Sequence, residues 1–388
     1  MSPHGRPKGS YRSAEHEGIP MNVPAARVGD HVDAIATPAL VIDLDAMERN
    51  LQGLAGFARH HGLRLRPHAK THKSAAIARR QIEAGAAGVC VQKLSEAEAL
   101  AQAGIDDLFI SNEVIAPDKL ARLAQLARRV KLALAVDSAL GIERLAAALR
   151  ADSSRVEVFV EVDVGHGRCG VAPAAAGALA QQVVAHGLPF AGLQAYHGRA
   201  QHLRTAAERE QAIRHAVTQA RTAQAAITAA GIHCPLVTGA GTGSFALEAA
   251  SGVYGELQCG SYVFMDRDYA DNEPTPNAPR FEHALFVKSQ VISRGLAHAV
   301  IDAGHKSHAI DSGLPRVWQR ELTYANGGDE HGILRGAALP ALGDAVWLVP
   351  GHCDPTVNLH DHYVAVRGGV EHGTVEAVWP IEARGCIR

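Results

Sequence analysis

The sequence predicts an α/β protein in which a (β/α)8 TIM-type barrel is followed by a second, mainly β domain. Short apolar segments alternate with Ala-rich helical patterns between residues 63 and 264, which is typical of parallel strands joined by helices. About eight such units occur, and eight units close a barrel. After about Pro279 the alternation stops, and strand patterns follow one another across Gly, Pro and Asp turns. The alternative arrangement is an open, doubly wound sheet.

The individual elements follow from these two patterns. Barrel strands are predicted near residues 63–68, 88–92, 108–111, 131–137, 156–164, 190–196, 236–238 and 257–264. Helices are predicted at residues 75–84, 95–103, 117–128, 140–149, 173–186, 206–230 and 244–250. Strands of the second domain are predicted at residues 283–293, 297–302, 345–349, 362–367 and 373–379.

The same patterns divide the chain into three parts. We predict an N-terminal arm at residues 1–36, partly disordered or joined to the β domain. The barrel is predicted at residues 37–275, beginning with the β-type run Ala39–Asp43, and the C-terminal β domain at residues 276–388. A chain of 388 residues suits a barrel of about 250 residues plus a second module. The segment 272–279, rich in Asn and Pro, is the expected hinge.

Charge and composition exclude several kinds of partner. The formal net charge is -2, whereas nucleic-acid binding depends on dense positive charge, so no nucleic-acid partner is expected. No apolar run is long enough to span a membrane, and residues 1–18 lack the apolar centre of a secretion signal. The six cysteines are scattered without a CxxC pair, which favours reduced thiols and a cytoplasmic location.

Polar residues of different chemistry follow the predicted barrel strands. They are Lys70, Gln92, Asn112, Asp137, Arg168, Tyr196, residues 238–244 and residues 260–262. Because the carboxyl ends of barrel strands face the active site, we expect these side chains to surround one site. Strand ends that simply meet solvent are the alternative, and Lys70 would then be an ordinary surface lysine.

Two glycine-rich turns indicate a phosphate site late in the barrel. Residues 238–244, Thr-Gly-Ala-Gly-Thr-Gly-Ser, follow a strand and open a helix, where glycines let the backbone approach a ligand and free amide hydrogens favour phosphate. The turn at Gly260, Ser261 and Tyr262 would complete the cradle, since barrel phosphate sites commonly use the loops after the seventh and eighth strands.

A phosphate cradle, an opposite lysine and an arginine near the middle of the barrel suit pyridoxal phosphate. Lys70 would form the Schiff base with this cofactor. Arg168 would lie at the pyridine nitrogen and keep it largely unprotonated. A buried ion pair with Glu161 or Asp163 is the alternative role for Arg168.

In the β domain, His352 and Asp354 form a candidate metal pair. They are two residues apart, so in an extended segment both point the same way and can share one cation. Imidazole plus carboxylate suits Mn²⁺, Mg²⁺ or Zn²⁺. Cys353 would then point away, whereas its participation would favour Zn²⁺. A turn held by an Asx hydrogen bond is the alternative explanation of this His-Cys-Asp sequence.

With these motifs in place, the chain resembles the D-threonine aldolase and 3-hydroxy-D-aspartate aldolase group of the fold-type III pyridoxal phosphate enzymes, which are related to alanine racemase. The resemblance extends from about Thr37 to the C-terminus. Its motifs occur in the family order at residues 66–73, 91–96, 110–113, 161–170, 193–198, 255–262 and 350–356.

The resemblance implies roles for particular residues. Lys70 would bind the cofactor covalently, and His202 would act as the catalytic base. His352 and Asp354 would hold the divalent metal. The expected cofactor contacts are Lys70, Gln92, Arg168, Tyr196, Thr242, Gly243, Gly260, Ser261 and Tyr262. The resemblance also implies a homodimer in which the β domain of one subunit approaches the barrel of the other.

The function implied by the resemblance is retro-aldol cleavage of a small D-3-hydroxy amino acid, D-threonine or 3-hydroxy-D-aspartate, to glycine and an aldehyde. The related dehydratases carry Cys in place of Asp354, which favours aldol cleavage here. The alternatives are a dehydratase acting on D-serine or 3-hydroxyaspartate, an amino-acid racemase and a non-catalytic pyridoxal phosphate carrier. If Arg199 faces the pocket, it would bind the distal carboxylate of 3-hydroxyaspartate; otherwise it is an exposed loop residue.

Overall fold

A computed structural model describes residues 24–388. Most of the predicted N-terminal arm, residues 1–23, therefore lies outside the described residues. The strands are β1 (Ala39–Asp43), β2 (Arg64–Leu65), β3 (Val89–Val91), β4 (Asp107–Ile110), β5 (Lys131–Val136), β6 (Glu157–Glu161), β7 (Phe190–Ala195), β8 (Val237–Gly239), β9 (Glu256–Leu257), β10 (Leu285–Arg294), β11 (Ala299–Ile301), β12 (Arg316–Val317), β13 (Thr323–Asn326), β14 (Gly332–Arg335), β15 (Ala345–Val349), β16 (His362–Arg367) and β17 (Thr374–Pro380).

The helices account for most of the intervening chain in the first half of the protein. They are α1 (Leu44–His60), α2 (Ala75–Glu83), α3 (Leu94–Gln102), α4 (Pro117–Leu126), α5 (Ala139–Asp152), α6 (Ala176–Ala185), α7 (Ala206–Ala229), α8 (Phe245–Ala250), α9 (Arg267–Ala270) and α10 (Cys353–Val357). None of the helices in the described range is long and apolar enough to cross a membrane.

The predicted barrel is confirmed. Eight parallel strands lie in the order β2-β9-β8-β7-β6-β5-β4-β3, and a parallel bridge between His68 and Cys90 joins the two ends of this order. The strands are apolar almost throughout because the interior cluster and the surrounding helices bury both faces. Phe109 and Phe159 fill the interior with their rings 4.7 Å apart.

The second, mainly β domain is also confirmed. Its sheet runs β13-β14-β11-β10-β1-β16-β17, and β15 pairs with β10 and β12. This sheet includes β1, which pairs antiparallel with β10 and parallel with β16. The range predicted for the barrel, 37–275, thus contains a strand that hydrogen-bonds in the other sheet. A short apolar run shows only that a strand will be buried, and its partners depend on tertiary packing.

The chain between Pro24 and β1 also contacts this sheet. His31 forms an isolated antiparallel bridge with Thr374. The ammonium group of Lys288 on β10 donates to the carbonyl oxygens of Val32 and Ile35, both at 2.8 Å. Between α9 and β10, residues 271–284 form neither helix nor strand, and this segment includes the expected hinge.

One predicted barrel strand is much shorter than expected. The apolar run 257–264 forms a strand only up to Leu257, and Ser261–Val263 is a 3-10 turn. Tyr262, Val263 and Phe264 are nonetheless buried, because they pack in the cluster that contains α1 and the β domain. A hydrophobic run in the sequence indicates burial, but it does not show whether the residues form a barrel strand or a turn that packs in another core.

The barrel end at β2 and β9 contains a buried cluster of charges. Arg66 lies 3.3 Å from Glu256 and 2.6 Å from Asp107, and its side chain is 5% exposed. The side chain of Glu256 is 1% exposed and also accepts from the Thr238 hydroxyl at 2.8 Å. The positive charge of Arg66 therefore compensates the negative charge of the Glu256 carboxylate, which is not accessible to water.

We expect Arg66→Ala to reduce the free energy of unfolding by about 3–5 kcal/mol, because it removes the buried guanidinium partner of Glu256 and leaves only the half-exposed Arg64. Urea denaturation followed by circular dichroism measures this loss. The control is Arg64→Ala, which removes a half-exposed partner of the same glutamate at 3.2 Å and should cost no more than about 1 kcal/mol. Equal losses in the two variants would contradict this explanation.

Candidate active site

Most of the polar residues that follow the barrel strands surround one cavity of about 270 Å³, but Asn112 and Asp137, which were also expected there, do not line it. Most of the residues predicted from the sequence line it, namely Lys70, Gln92, Arg168, Tyr196, His202, Thr242, Gly260 and Ser261. Gly243 and Tyr262 are adjacent to these residues but do not line the cavity. His352 and Asp354 belong to the β domain and do not line the cavity. Asp354 contacts the ammonium group of Lys70, which does line it.

Lys70 follows β2, and its ammonium group contacts the carboxylate of Asp354. Burial by itself would lower the pKa of Lys70, but the Asp354 carboxylate outweighs this effect and raises it. Lys73 is placed differently, since its ammonium group is buried in an ion pair with Glu96 at 2.6 Å. Of the two lysines in this motif, Lys70 is the one whose amine faces the cavity.

His68 also lines the cavity, although no pattern in the sequence predicted a role for it. Its Nδ1 accepts from the Lys70 backbone N–H at 3.4 Å. Its Nε2 lies 3.2 Å from the Gln92 amide oxygen and 3.1 Å from the Ser111 hydroxyl. Burial and the nearby Lys70 lower the pKa of His68 to about 3. The ring is therefore neutral, with its proton on Nε2, and it orients Gln92 at the cavity wall.

Arg168 lies at the end of a loop that Asp163 closes by accepting from the N–H groups of Gly165 and Gly167 at 2.9 and 3.0 Å. Its guanidinium carbon is 5.7 Å from the centre of the Tyr196 ring. The nearest Glu161 oxygen is 3.9 Å away, and burial and the nearby Glu113 raise the pKa of Glu161 to about 9. The raised pKa favours the neutral form of Glu161, which weakens the ion pair with Arg168 that the sequence offered as an alternative.

His202 lies at the end of the 3-10 turn Arg199–His202, and its Nδ1 is 2.5 Å from a carboxylate oxygen of Asp268. Burial would raise the pKa of Asp268, but His202 and Arg204 lower it to about 2. An ionised Asp268 holds the proton of His202 on Nδ1, which leaves the lone pair of Nε2 free. Asp268 is 66 residues away in the sequence, so no local pattern could have identified this pair.

The glycine-rich turns form a backbone cradle at one side of the cavity. The backbone N–H groups of Thr242 and Ser261 donate to no acceptor within residues 24–388. The hydroxyl oxygen of Thr242 accepts from the Tyr262 N–H at 3.0 Å, so Tyr262 supports the cradle from behind. The Gly243 N–H donates to the Gln201 side chain at 2.9 Å and fixes the turn.

This cradle fits the phosphate of pyridoxal phosphate. A Cβ atom at Gly260 would lie 2.6 Å from the Thr71 hydroxyl, so only glycine leaves this space open. The Thr71 hydroxyl itself is buried and has no hydrogen-bond partner among the described residues. Free amide hydrogens and an unpaired hydroxyl around such a space are what a bound phosphate requires.

His352 and Asp354 fit a divalent cation, although for a different reason from the one predicted. The segment is not extended throughout, because His352 occupies the N-cap position of α10 and Asp354 lies in the first turn of this helix. The two side chains still converge, with His352 Nε2 3.9 Å from Asp354. The other ring nitrogen, Nδ1, donates to Asp311 at 2.7 Å, the usual support of a metal-binding histidine.

Two further observations support this assignment of the donor atoms. Asp354 Oδ1 is buried and has no hydrogen-bond partner in the described part of the chain. Cys353 is fully buried in the hydrophobic core, and burial raises the pKa of its thiol well above the ordinary value. The available donors are thus imidazole and carboxylate, which suit Mn²⁺ or Mg²⁺. No cluster of three or more His, Cys, Asp or Glu side chains in residues 24–388 could hold a metal ion, so water or substrate would complete the coordination.

The protein joins a closed parallel barrel, which carries a lysine after its first strand, to a β domain. This combination defines the class of two-domain proteins with an alanine racemase-type barrel. Residues 42–268 match the family described as "Alanine racemase, N-terminal domain", and residues 284–366 match the "Putative serine dehydratase domain". The chain belongs to the aldolase family that contains D-threonine aldolase and 3-hydroxy-D-aspartate aldolase. Membership in this family supports pyridoxal phosphate as the cofactor.

Full-length similarity supports this assignment. The D-threonine aldolase of Arthrobacter sp is 48% identical over 94% of this chain and 97% of its own. The 3-hydroxy-D-aspartate aldolase of Paracoccus denitrificans is 43% identical over 90% of this chain and 92% of its own. The crystal structure of D-threonine aldolase from Filomicrobium marinum is 47% identical, covers 95% of this chain and all of its own, and superposes with a TM-score of 0.92.

A dehydratase is a more distant relative. The D-threo-3-hydroxyaspartate dehydratase of Delftia sp. is 32% identical over 84% of this chain and 93% of its own. Both similarities identify a lyase, and the higher identity lies with the aldolases.

We expect Gly260→Ala to weaken pyridoxal phosphate binding by at least about tenfold, because the added methyl group enters the space against Thr71. Titration of the cofactor-free protein with pyridoxal phosphate, followed by absorbance, gives the Kd. Gly56→Ala is the matched control, since a Cβ atom at that position on α1 meets no atom closer than 4.0 Å. An unchanged Kd in Gly260→Ala would place the phosphate elsewhere.

Proposed function

We propose that this protein cleaves a D-3-hydroxy amino acid to glycine and an aldehyde, using pyridoxal phosphate and a divalent metal, Mn²⁺ or Mg²⁺. The observation that carries the proposal is one cavity that combines two kinds of group. One is the imidazole of His202, whose basic nitrogen is freed by Asp268. The other is the amine of Lys70, which is in contact with the metal-pair residue Asp354.

Each group of the cavity has a role in binding the reactants. Lys70 would anchor the cofactor through its amine, and Thr242, Gly260 and Ser261 would hold its phosphate. Arg168, Gln92 and Tyr196 line the same cavity and would contact the rest of the cofactor. Gly243 and Tyr262 support this cradle from outside the cavity. When bound, pyridoxal phosphate supplies an acceptor for the electron pair released at Cα.

Cleavage requires removal of the proton of the β-hydroxyl group. We assign this proton to His202 Nε2, since Nδ1 is occupied by its hydrogen bond to Asp268. As the O–H bond breaks, the oxygen forms the aldehyde C=O, the Cα–Cβ bond breaks and Cα later takes up a proton to give glycine. His352 and Asp354 would hold a divalent cation, which would supply Lewis acidity for lowering the pKa of the hydroxyl group.

A dehydratase that removes ammonia and leaves a 2-oxo acid is the second candidate. It is favoured by the match of residues 284–366 to the "Putative serine dehydratase domain". The aldolase reaction has more support, because Asp354 and not the buried Cys353 is available beside His352.

Product analysis distinguishes the two reactions. We expect the protein with pyridoxal phosphate and Mn²⁺ to release glycine plus acetaldehyde from D-threonine, or glycine plus glyoxylate from 3-hydroxy-D-aspartate. Chelation of the metal should abolish this release, and added Mn²⁺ or Mg²⁺ should restore it. Ammonia and a 2-oxo acid as the products would instead establish a dehydratase.

We expect His202→Ala to lower kcat for cleavage by about 10²–10⁴-fold, the usual contribution of a positioned general base. The absorbance of the bound cofactor should persist, because Lys70 is unaffected. Asp268→Asn should give a smaller loss, since the imidazole remains but its orientation and tautomer are less well fixed. His233→Ala, an exposed histidine outside the cavity, is the control. Undiminished cleavage by His202→Ala would exclude it as the base.

We also propose a homodimer in a cytoplasmic location. The family resemblance supports the dimer, with the β domain of one subunit beside the barrel of the other. The six cysteines are all free, which supports a reducing compartment. Sedimentation analysis of the cofactor-bound protein tests the dimer.

A further inference from the structure

The short 3-10 turn Arg199–His202 places an arginine and the proposed base on the same side of the chain. A 3-10 helix has three residues per turn, so the side chains of its first and fourth residues project in one direction, about 6 Å apart along the axis. Arg199 and His202 are these two residues, and both line the cavity. A group bound near His202 is therefore within reach of the Arg199 side chain.

Arg199 has no negative partner among residues 24–388. Two neighbouring cations do have a carboxylate partner, since Arg204 pairs with Asp268 and Lys70 contacts Asp354. Arg199 forms neither an ion pair nor a side-chain hydrogen bond within residues 24–388, and it is exposed. The cavity wall in the described chain includes Lys70, Arg168 and Arg199 but no Asp or Glu residue. Arg199 is thus a positive charge at the cavity wall that no Asp or Glu side chain of the described residues neutralises.

The backbone beneath Arg199 is held in place on both sides. The Gly198 N–H donates to His166 Nδ1 at 3.2 Å, and a Cβ atom at Gly198 would lie 2.3 Å from that ring. The Ala200 N–H donates to His197 Nδ1 at 3.3 Å. Gln201 donates to the Ser244 hydroxyl at 2.7 Å. Binding of a ligand by Arg199 therefore requires ordering of one side chain and not of the turn.

We propose that Arg199 binds a second carboxylate, carried on the β-carbon of the substrate, and that the preferred substrate class is 3-hydroxy-D-aspartate over D-threonine. This inference rests on the proposed function. In 3-hydroxyaspartate the hydroxyl group and the distal carboxylate are attached to the same carbon atom. A hydroxyl group that meets His202 therefore brings the carboxylate to the side of the turn that carries Arg199.

The chemistry of the two groups matches. A guanidinium group presents paired N–H donors that bind a carboxylate bidentately. D-threonine has a methyl group at the position of this carboxylate, so it leaves Arg199 with water as its only partner. The aldehyde released from the preferred substrate would be glyoxylate.

The test compares kcat and KM for both substrates in the wild-type holoenzyme and in Arg199→Ala and Arg199→Lys. Arg199→Ala should raise KM for 3-hydroxy-D-aspartate by about 10–100-fold, whereas KM for D-threonine should change by less than about threefold. Arg199→Lys should recover part of the loss, because it keeps the charge without the fork geometry. Arg214→Ala, which removes an exposed arginine paired with Glu210 on α7, is the control.

A binding measurement separates recognition from cleavage. D-aspartate carries the distal carboxylate but no β-hydroxyl group, and its Kd for the holoenzyme can be measured by calorimetry. Arg199→Ala should weaken the binding of D-aspartate by about the same factor of 10–100. The binding of D-alanine should be nearly unchanged.

The outcomes are distinguishable. Equal losses on both substrates, or unchanged D-aspartate binding in Arg199→Ala, would overturn the role of Arg199. If the wild-type enzyme cleaves neither substrate, the proposed function fails, and the D-aspartate measurement still decides whether Arg199 binds a distal carboxylate.

Discussion

The candidate site depends on the contact between Lys70 and Asp354, because this contact joins the barrel to the β domain at the cavity. Lys70 follows the first barrel strand, and Asp354 lies in the first turn of a helix in the β domain. Asp354 is the more buried partner, since its side chain is 14% exposed and that of Lys70 is 40% exposed, so the carboxylate depends on the nearby ammonium group. The Asp354 carboxylate raises the pKa of the Lys70 amine, and its other oxygen, Oδ1, is buried without a hydrogen-bond partner among the described residues.

This contact requires that the two domains keep a fixed relative position. One hydrophobic core shared by both domains holds them in place. The cluster containing Leu44, Leu54 and Ile77 from the helical part also contains Leu285 and Tyr363 from the β domain. β1 lies in the sheet of the β domain and leads directly into α1, which packs in this same core. The chain therefore enters the barrel through the other domain, and no rotation between them is possible without exposing that core.

The 3-10 turn Arg199–His202 contributes in a different way, since it lies after β7 and carries exposed side chains on a fixed backbone. Gln201 is buried within it and hydrogen-bonds Ser244 and Gly243. The same turn thus supports the phosphate cradle on its inner side and presents His202 to the cavity. Gln201 therefore connects the glycine-rich cradle to the turn that carries His202, the proposed base.

The sequence by itself determined the alternation of strands and helices, the mainly β second domain and the polar residues at the strand ends, because these follow from local patterns of burial and turn chemistry. Lys70, Arg168 and the glycine turns could be recognised in this way. Only the tertiary structure decided the partners of β1, the supporting roles of Asp268 and Asp311, and the neutral state of His68. These features join residues that are distant in the chain, and their pKa values depend on burial and on charges that no local pattern contains.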